Sequence, residues 1–347
     1  MKKTLLASLI SLALSGSVFA AGESNAIVNQ NSSNVNGSIT IKQGNDTALT
    51  GSRAEANQSS GNGNAITMTQ QGSEQSANVT QTNGTSNVAN TTQLGERNNA
   101  LINQSGTASV STNASIDQTG SSNIAGVDQS NTTNTTASLT QDGSRNTMNA
   151  TQSRSRDSQM TLSSQGGSNR VSATQTDSAN VSASIAQIGD RNHASTSQMS
   201  SQNSSIAFSQ TGNNNTIDAE QYETENSIVD VNENGDRNRT NIYQDTALDA
   251  SIRVSETGTN NEVTGYQNHS TADTALIALT GESNRITTHQ GNENYASANN
   301  TINYSANGSN NTGDIRQFGS DNTVNKEQNG DNSITNVCQG SVAACGN

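Results

Sequence analysis

Glutamine is the residue whose spacing along this chain points most directly to a chemical role. It recurs at gaps that mostly alternate between about 11 and about 12 residues, so one full period is about 23 residues, within the range of known repeat proteins. The recurring side chains are Gln81, Gln93, Gln104, Gln118, Gln129, Gln141, Gln152, Gln165, Gln175, Gln187, Gln198, Gln210 and Gln221. A carboxamide both donates and accepts hydrogen bonds, so equivalent amides stacked in a column can satisfy one another when buried. The spacing therefore predicts an amide ladder between segments one period apart.

The shorter gaps share the motif Gln-x-Gly-x-x-Asn-x-(small or apolar)-x-x-x-Gln. Residues 93–104 and 187–198 match it at every position. The amides expected to stack are Gln81, Gln93, Asn98, Gln104, Gln118, Asn123, Gln129, Gln141, Asn146, Gln152, Gln187, Asn192, Gln198, Gln210, Asn215, Gln221, Asn238, Gln244, Asn261, Gln267, Asn284 and Gln290.

The elements that position these amides are strands. Residues 181–187 carry Val, Ala, Ile and Gln at every second position, and residues 192–198 carry Asn, Ala, Thr and Gln. A period of two is typical of a β-strand with one face small, apolar or amide. Charged pairs such as Asp190-Arg191 fall beside glycine in the intervening segments, which favours tight turns there.

Composition excludes an ordinary globular core. The chain of 347 residues has no proline, 2% aromatic, 28% hydrophobic and 13% charged residues. A typical domain is about 45–50% apolar, while disordered chains are usually rich in Pro, Lys and Glu. The absence of proline suits a continuous backbone ladder, because proline cannot donate to one.

Stacking reconciles a polar composition with a regular strand pattern. Two strands of about seven residues and two short turns cannot bury one face alone, so successive windings must cover one another. The sequence therefore predicts an all-β β-solenoid. About fourteen windings would form a rod on the order of 65 Å long. The longer gap from Gln104 to Gln118 is interpreted as a lengthened turn.

Residues 1–20 differ from the rest, with two lysines, an apolar run and a small-residue stretch ending at Ala20. This pattern is typical of a secretory signal peptide, and the apolar run is too short for a spanning helix. The predicted organisation is a signal peptide at 1–20, an N-terminal segment with an irregular first winding at 21–42, a repeat solenoid at 43–336 and a cysteine-containing tail at 337–347. Cleavage changes the formal charge from −13 to −15 by removing Lys2 and Lys3. So acidic a chain is expected neither to bind nucleic acid nor to be embedded in a membrane.

The motif resembles the curlin repeat of the bacterial functional amyloids that form curli fibres, Ser-x5-Gln-x-Gly-x-x-Asn-x-Ala-x3-Gln. The second half of that unit recurs well. The first half is looser, because the family's serine position holds Asn87, Thr112, Thr135, Val181 and Ser204. The resemblance implies export through an outer-membrane channel and polymerisation at the cell surface into adhesive biofilm fibres. Its implied partners are further copies of the chain and a sister curlin subunit as nucleator, and the roles of major subunit and nucleator both stay open.

Three acidic residues break the pattern. Glu233 and Glu256 occupy the glutamine position one period apart, and Asp273 enters the inward parity. Two stacked carboxylates about 5 Å apart repel by on the order of 3 kcal/mol at an effective dielectric near 20. One hypothesis is a gatekeeper that slows folding at neutral pH. The alternative is that both side chains lean into solvent. Leu279 and Ala306 replace glutamine in the next two periods, which indicates a less regular ladder there.

The remaining reactive residues predict no catalysis, cofactor or metal site. Cys338 and Cys345 are the only cysteines, and their even number with secretion favours a disulfide. His193, His269 and His289 are scattered and are expected to be solvated.

The chain is therefore expected to be a non-enzymatic fibre subunit. The alternative is a monomeric solenoid that acts as an adhesin or an ice-binding surface.

Overall fold

The computed structural model describes residues 24–31, 36–44, 51–292, 294–340 and 345. The predicted signal peptide lies outside the described residues. Within them the chain winds as a β-solenoid in which two long parallel sheets face each other. The all-β solenoid predicted from the sequence is confirmed, and so is its period, because most windings repeat at |i−j| = 23.

Sheet 1 contains one strand from each winding. In stacking order, its strands are β1 Asn25–Gln30, β3 Arg53–Ser59, β5 Ser76–Thr82, β7 Asn99–Ser105, β9 Ile124–Ser130, β11 Thr147–Ser153, β13 Arg170–Thr176, β15 His193–Met199, β17 Thr216–Tyr222, β19 Arg239–Asp245, β21 Glu262–Asn268, β24 Arg285–Gln290, β27 Thr312–Gln317 and β30 Ile334–Gln339.

Sheet 2 contains the other long strand of each winding. Its strands are β2 Ser38–Gln43, β4 Ala65–Ser73, β6 Val88–Glu96, β8 Asn113–Ser121, β10 Thr136–Ser144, β12 Gln159–Gly167, β14 Ser182–Ile188, β16 Ser205–Thr211, β18 Ile228–Asp236, β20 Ser251–Thr259, β23 Thr274–Glu282, β26 Thr301–Ser309 and β29 Thr323–Asn329. A small third sheet at one corner contains β22 Ser270–Thr271, β25 Ser297–Ala298 and β28 Gly319–Ser320.

Every strand pair in the two long sheets is parallel and in register, so equivalent positions of successive windings lie over one another. Gln152 pairs with Gln175 in sheet 1, and Gly143 pairs with Gly166 in sheet 2. The offset between paired positions is larger between Gln93 and Gln118 than between Gln70 and Gln93, because the turn before β8 is longer. Lengthened turns therefore absorb the irregular gaps without shifting the register.

The core is a thin layer between the two sheets. Most strands contribute two small or apolar inward residues, followed by an amide in most windings. Alanine recurs among them beside isoleucine, valine, leucine and methionine, and the aromatic side chains Phe208 and Tyr304 lie in later windings. Side chains of successive windings form columns, so the apolar residues pack above and below one another as well as across the core.

One turn of each winding explains the glycine of the sequence motif. Gly143 adopts φ +126°, and a Cβ placed there would lie 2.1 Å from the carbonyl oxygen of Gly166 in the next winding. Two residues later Arg145 has φ +58°, so the turn contains a second left-handed residue. Glycine is needed at the first position because a side chain would clash with neighbouring backbone.

Paired strands extend beyond the predicted limits of the solenoid. Strand β1 pairs in register with β3, and β2 pairs with β4, so part of the predicted irregular first winding belongs to the long sheets. At the other end β30 pairs with β27 as far as Gln339. The described solenoid therefore runs from Asn25 to Gln339.

Candidate assembly interface

The glutamine column of sheet 1 runs without interruption through all fourteen strands of the sheet. Each side-chain Nε2 donates to the Oε1 of the glutamine in the next winding at 2.6–3.2 Å. The column consists of Gln30, Gln58, Gln81, Gln104, Gln129, Gln152, Gln175, Gln198, Gln221, Gln244, Gln267, Gln290, Gln317 and Gln339. All its amides donate toward the C-terminal end, so the column has a direction.

The same amides also tie sheet 1 to the opposite side of the core. Gln81 Nε2 lies 3.1 Å from the backbone oxygens of both Ala65 and Asn87, in addition to its bond with Gln104. Its second hydrogen is therefore shared between two carbonyls. Because both hydrogens and the oxygen have partners, this amide can be buried without an unsatisfied polar group.

The asparagines form a second column at the glycine-containing turn. Asn98 Nδ2 donates to the backbone oxygens of Leu94 and Gly120 at 3.0 Å, and its Oδ1 accepts from the backbone N–H of Asn123 at 3.1 Å. These amides therefore bind mainly the backbone of the turn in the next winding. The sequence predicts contacts between amides; these occur in parts of the column, for example from Asn123 Nδ2 to Asn98 Oδ1 at 3.2 Å.

Every stacking amide expected from the sequence lies buried in one of these columns or in the glutamine column of sheet 2. The structure adds Gln30, Gln58, Gln317 and Gln339 to sheet 1. The signal for Gln58 is in the sequence, because it lies one regular period before Gln81. The other three lie beyond irregular turns, where a fixed spacing does not find them.

The glutamine column of sheet 2 is interrupted at the β12 winding. The sequence assigns Gln165 to the recurring position, and this is wrong: Gln165 is exposed and Ser164 occupies the column. Ser164 Oγ is buried without a hydrogen-bond partner, and so is Gln187 Oε1 in the next winding. A serine side chain is too short to replace the amide contacts on either side.

Glu233 and Glu256 stand directly over one another in this column and are 0% and 1% exposed. Gln210 Nε2 donates to Glu233 Oε2 at 3.0 Å, and Thr240 Oγ1 donates to Glu256 Oε1. The other oxygens, Glu233 Oε1 and Glu256 Oε2, are buried without a partner. The alternative that both side chains lean into solvent is therefore wrong.

Burial governs the titration of this carboxyl pair. Desolvation raises the pKa of Glu233 to about 7, although the hydrogen bond from Gln210 opposes the change. Desolvation, then the nearby charge of Glu233, raises the pKa of Glu256 to about 8. Asp218 and Glu262 are the other charged groups that raise these pKa values. Both carboxyls therefore favour the protonated form in the folded state.

The next two windings replace the polar column with apolar contacts. Leu279 and Ala306 are buried in register above Glu256. Asp273 is also buried, at the turn before β23. Its carboxylate accepts hydrogen bonds from the backbone N–H of Asn300 at 2.8 Å and from the hydroxyl of Ser297. Burial raises the pKa of Asp273.

The two ends of the solenoid expose unpaired strand edges. Among the described residues, β1 and β2 have no strand on their N-terminal side, and β30 and β29 have none on their C-terminal side. Such edges are templates for a further strand. Near the C-terminal end a disulfide joins Cys338, on the outer face of β30, to Cys345.

The histidines occupy three different surroundings. His193 Nε2 lies 3.7 Å from Asp218 Oδ1, and His269 is exposed at a turn. His289 is half-buried and stacks on Tyr266 with ring centroids 4.6 Å apart, contrary to the expectation that it is solvated. Burial lowers the pKa of His289.

The described part of the chain contains neither a metal-binding cluster nor a membrane-spanning helix. No group of three or more His, Cys, Asp or Glu side chains is placed there to hold a metal ion. No helix there has the length and apolar character needed to cross a membrane.

Comparison with known families gives one match. The family model described as the curlin associated repeat matches residues 113–143. This segment contains β8, β9 and most of β10, with Gln118, Asn123 and Gln129 of the amide columns. No curated protein matches the chain.

Proposed function

We propose that this chain, a member of the curlin-repeat family, is the structural subunit of an extracellular fibre that grows by end-to-end stacking. The observation that carries the proposal is the match between the two ends of the solenoid. Strand β30 placed against β1 of the next copy, in the register of sheet 1, puts Val337 over Val28 and Gln339 over Gln30. The joint between copies thus continues the columns inside each copy.

The sheet 2 edges match at two of their three inward positions. Strand β29 placed against β2 of the next copy puts Val324 over Ile39 and Gln328 over Gln43. Parallel pairing of both edges adds a full winding of backbone hydrogen bonds at each joint. Apolar contacts within the same columns, such as Val324 with Ile39, would accompany these hydrogen bonds.

The direction of the glutamine column favours head-to-tail stacking. Gln317 Nε2 donates to Gln339 Oε1 at 2.9 Å, and Gln339 Nε2 donates one hydrogen to the backbone oxygen of Thr323 at 3.1 Å, which leaves its second hydrogen for the C-terminal edge. Gln30 presents its Oε1 at the opposite edge, because its Nε2 donates to Gln58. Head-to-tail contacts that do not close generate open filaments. Head-to-head contacts would place like amide groups against each other.

The proposed setting is the cell surface. The signal-peptide pattern of residues 1–20 and the family match support secretion through an outer-membrane channel. The fibres would support adhesion and biofilm matrix, either as a homopolymer or on a sister curlin subunit as nucleator. The role is structural and not catalytic, since the amides that recur along the chain are occupied in holding successive windings together.

Fibre diffraction from purified protein tests this function. A chain lacking residues 1–20 is dissolved in denaturant, transferred to buffer and incubated without agitation. Aligned fibres are expected to give one reflection at about 4.8 Å along the fibre and another at about 10 Å across it. A folded particle that stays monomeric at high concentration would contradict the proposal and favour the monomeric adhesin.

A further inference from the structure

The C-terminal edge of sheet 2 carries a cation at a core position. Lys326 pairs in register with the buried Tyr304, in the column that contains Val231, Val254 and Ile277. Its side chain is partly exposed, and no described strand covers it on the C-terminal side. Among the described residues, Lys326 is not part of any ion pair.

The described side chains near Lys326 form no hydrogen bond with it. Tyr304, its register neighbour, directs its ring across the core to the backbone of Gly313, and its hydroxyl is buried without a hydrogen-bond partner. Gln328, two residues along, donates from Nε2 to Thr335 Oγ1 of its own winding at 2.7 Å, and its Oε1 is buried without a partner. The sheet 2 half of this edge therefore departs from the repeat, while the sheet 1 half continues it through Gln339.

The opposite end of the solenoid is apolar at the matching position. In head-to-tail stacking Lys326 would be covered by Ile41 of the next copy, since Ile41 holds the same place in β2. A charged ammonium enclosed between Tyr304 and isoleucine loses its hydration and gains no anionic partner. Inward-pointing charges on edge strands are a known way of discouraging edge-to-edge association.

From this juxtaposition we propose that Lys326 is the residue that limits self-stacking at the joint between copies of this chain. The sheet 1 half of the edge recruits the next copy, and the lysine makes docking of the sheet 2 half unfavourable. This inference rests on the proposed function and adds to it that the joint is weaker than the windings within a copy. The partner is a second copy, docked through its β1 and β2 edge.

Seeded elongation of the chain lacking residues 1–20 tests the role of Lys326. Lys326→Met keeps an unbranched side chain of similar length and removes the charge. It is expected to elongate from sheared fibre seeds at least about tenfold faster than the wild type. Lys326→Glu is expected to stay slow, because a buried carboxylate is also unfavourable. The matched control is Arg170→Thr, which removes a cation from the exposed outer face of β13, away from both ends of the solenoid, where the paired strand has Thr147.

The outcomes separate the two proposals. Fibres from the wild type and Lys326→Met at equal rates would overturn the role of Lys326 and leave the proposed function standing. An equal acceleration by Arg170→Thr would also overturn it, because total charge would then be the cause. If neither the wild type nor Lys326→Met forms fibres, the proposed function fails and the role of Lys326 fails with it.

Discussion

Ser164 lies directly beneath Gln187 in the glutamine column of sheet 2, and the two side chains form no hydrogen bond. Gln141 lies on the other side of Ser164, where the series of amide contacts from Gln43 also ends. The amide contacts of the sheet 2 column are therefore broken at Ser164, and Leu279 and Ala306 replace them again further along, whereas the sheet 1 column is continuous. This difference identifies sheet 1 as the better template for an added winding.

Ser164→Gln should stabilise the solenoid by joining the amide contacts on either side of position 164. The new amide can accept from Gln141 and donate to Gln187 Oε1, which now has no partner. Since an unsatisfied buried group costs about 1–3 kcal/mol, we expect a gain of about 1–2 kcal/mol in the free energy of unfolding. Denaturant unfolding of the monomer measures it. The control Gln165→Ser, on the exposed face, should change stability by less than about 0.5 kcal/mol.

Replacing the buried carboxyl pair should remove a pH dependence of stability. The folded-state pKa values of Glu233 and Glu256, about 7 and about 8, lie above the ordinary value of 4.5. The folded state therefore binds more protons, so stability is highest below about pH 4.5 and falls as pH rises to about 8. For Glu233 the loss is on the order of 3 kcal/mol. The double variant Glu233→Gln/Glu256→Gln should fold and assemble faster at pH 8 and at nearly the same rate at pH 5.

The control for this variant is Glu220→Gln/Glu225→Gln, which removes two exposed carboxylates, one on β17 and one in the turn that follows it. It should leave the pH profile of the wild type between pH 5 and pH 8 unchanged. A buried-pair variant that assembles at the wild-type rate across this range would show that Glu233 and Glu256 are not gatekeepers.

Gly143→Ala should disrupt the turn at the centre of the solenoid. The added Cβ would lie 2.1 Å from the Gly166 oxygen, in a backbone conformation of φ +126° that alanine rarely adopts. We expect a loss of at least about 3 kcal/mol, seen as a lower midpoint in denaturant. Gly126→Ala is the matched control, because its nearest neighbour is the Asn149 side chain at 3.1 Å and it lies on the outer face of β9. Comparable losses in the two variants would contradict this explanation of the glycine column.

Gln175→Leu should interrupt the continuous column of sheet 1. It removes the bonds to Gln152 and Gln198 at 2.8 and 2.9 Å and leaves both neighbours with an unpaired group. A loss of about 2–4 kcal/mol is expected on thermal or denaturant unfolding. Gln159→Leu places the same substitution on the exposed outer face of β12 and should have little effect. Equal effects would mean that the column contributes no net stability.

The fold was predictable because two periods act together in this sequence. Alternation by two places the strand faces, and the longer repeat of the glutamines places the windings, so residues 181–187 and 192–198 suffice to define a unit. The prediction for Gln165 is wrong because it follows the recurrence of glutamine and ignores which face of the strand each residue occupies. Stepping by two from Met160 and Leu162 reaches Ser164, whereas stepping from Gln159 reaches Gln165 through polar residues. Parity is therefore the more reliable guide.

Other features could not be read from a repeat pattern. The sequence places Glu233 in the column, but only packing shows that the side chain is enclosed and that one of its oxygens has no partner. Ladder direction depends on amide orientation, which the sequence does not encode locally. Lys326 does have a signal, since it lies at the inward parity between Val324 and Gln328. Its consequence emerges only when the two ends are compared.

Electron cryomicroscopy of fibres grown from the chain lacking residues 1–20 tests the central claim most directly. With thirteen to fourteen windings per copy, each adding about 4.8 Å, the axial rise per subunit should be about 65 Å. Strand β30 of one copy should then pair in parallel with β1 of the next, with Gln339 over Gln30. Fibres in which copies associate through the outer faces of their sheets, with unpaired solenoid ends, would contradict end-to-end stacking.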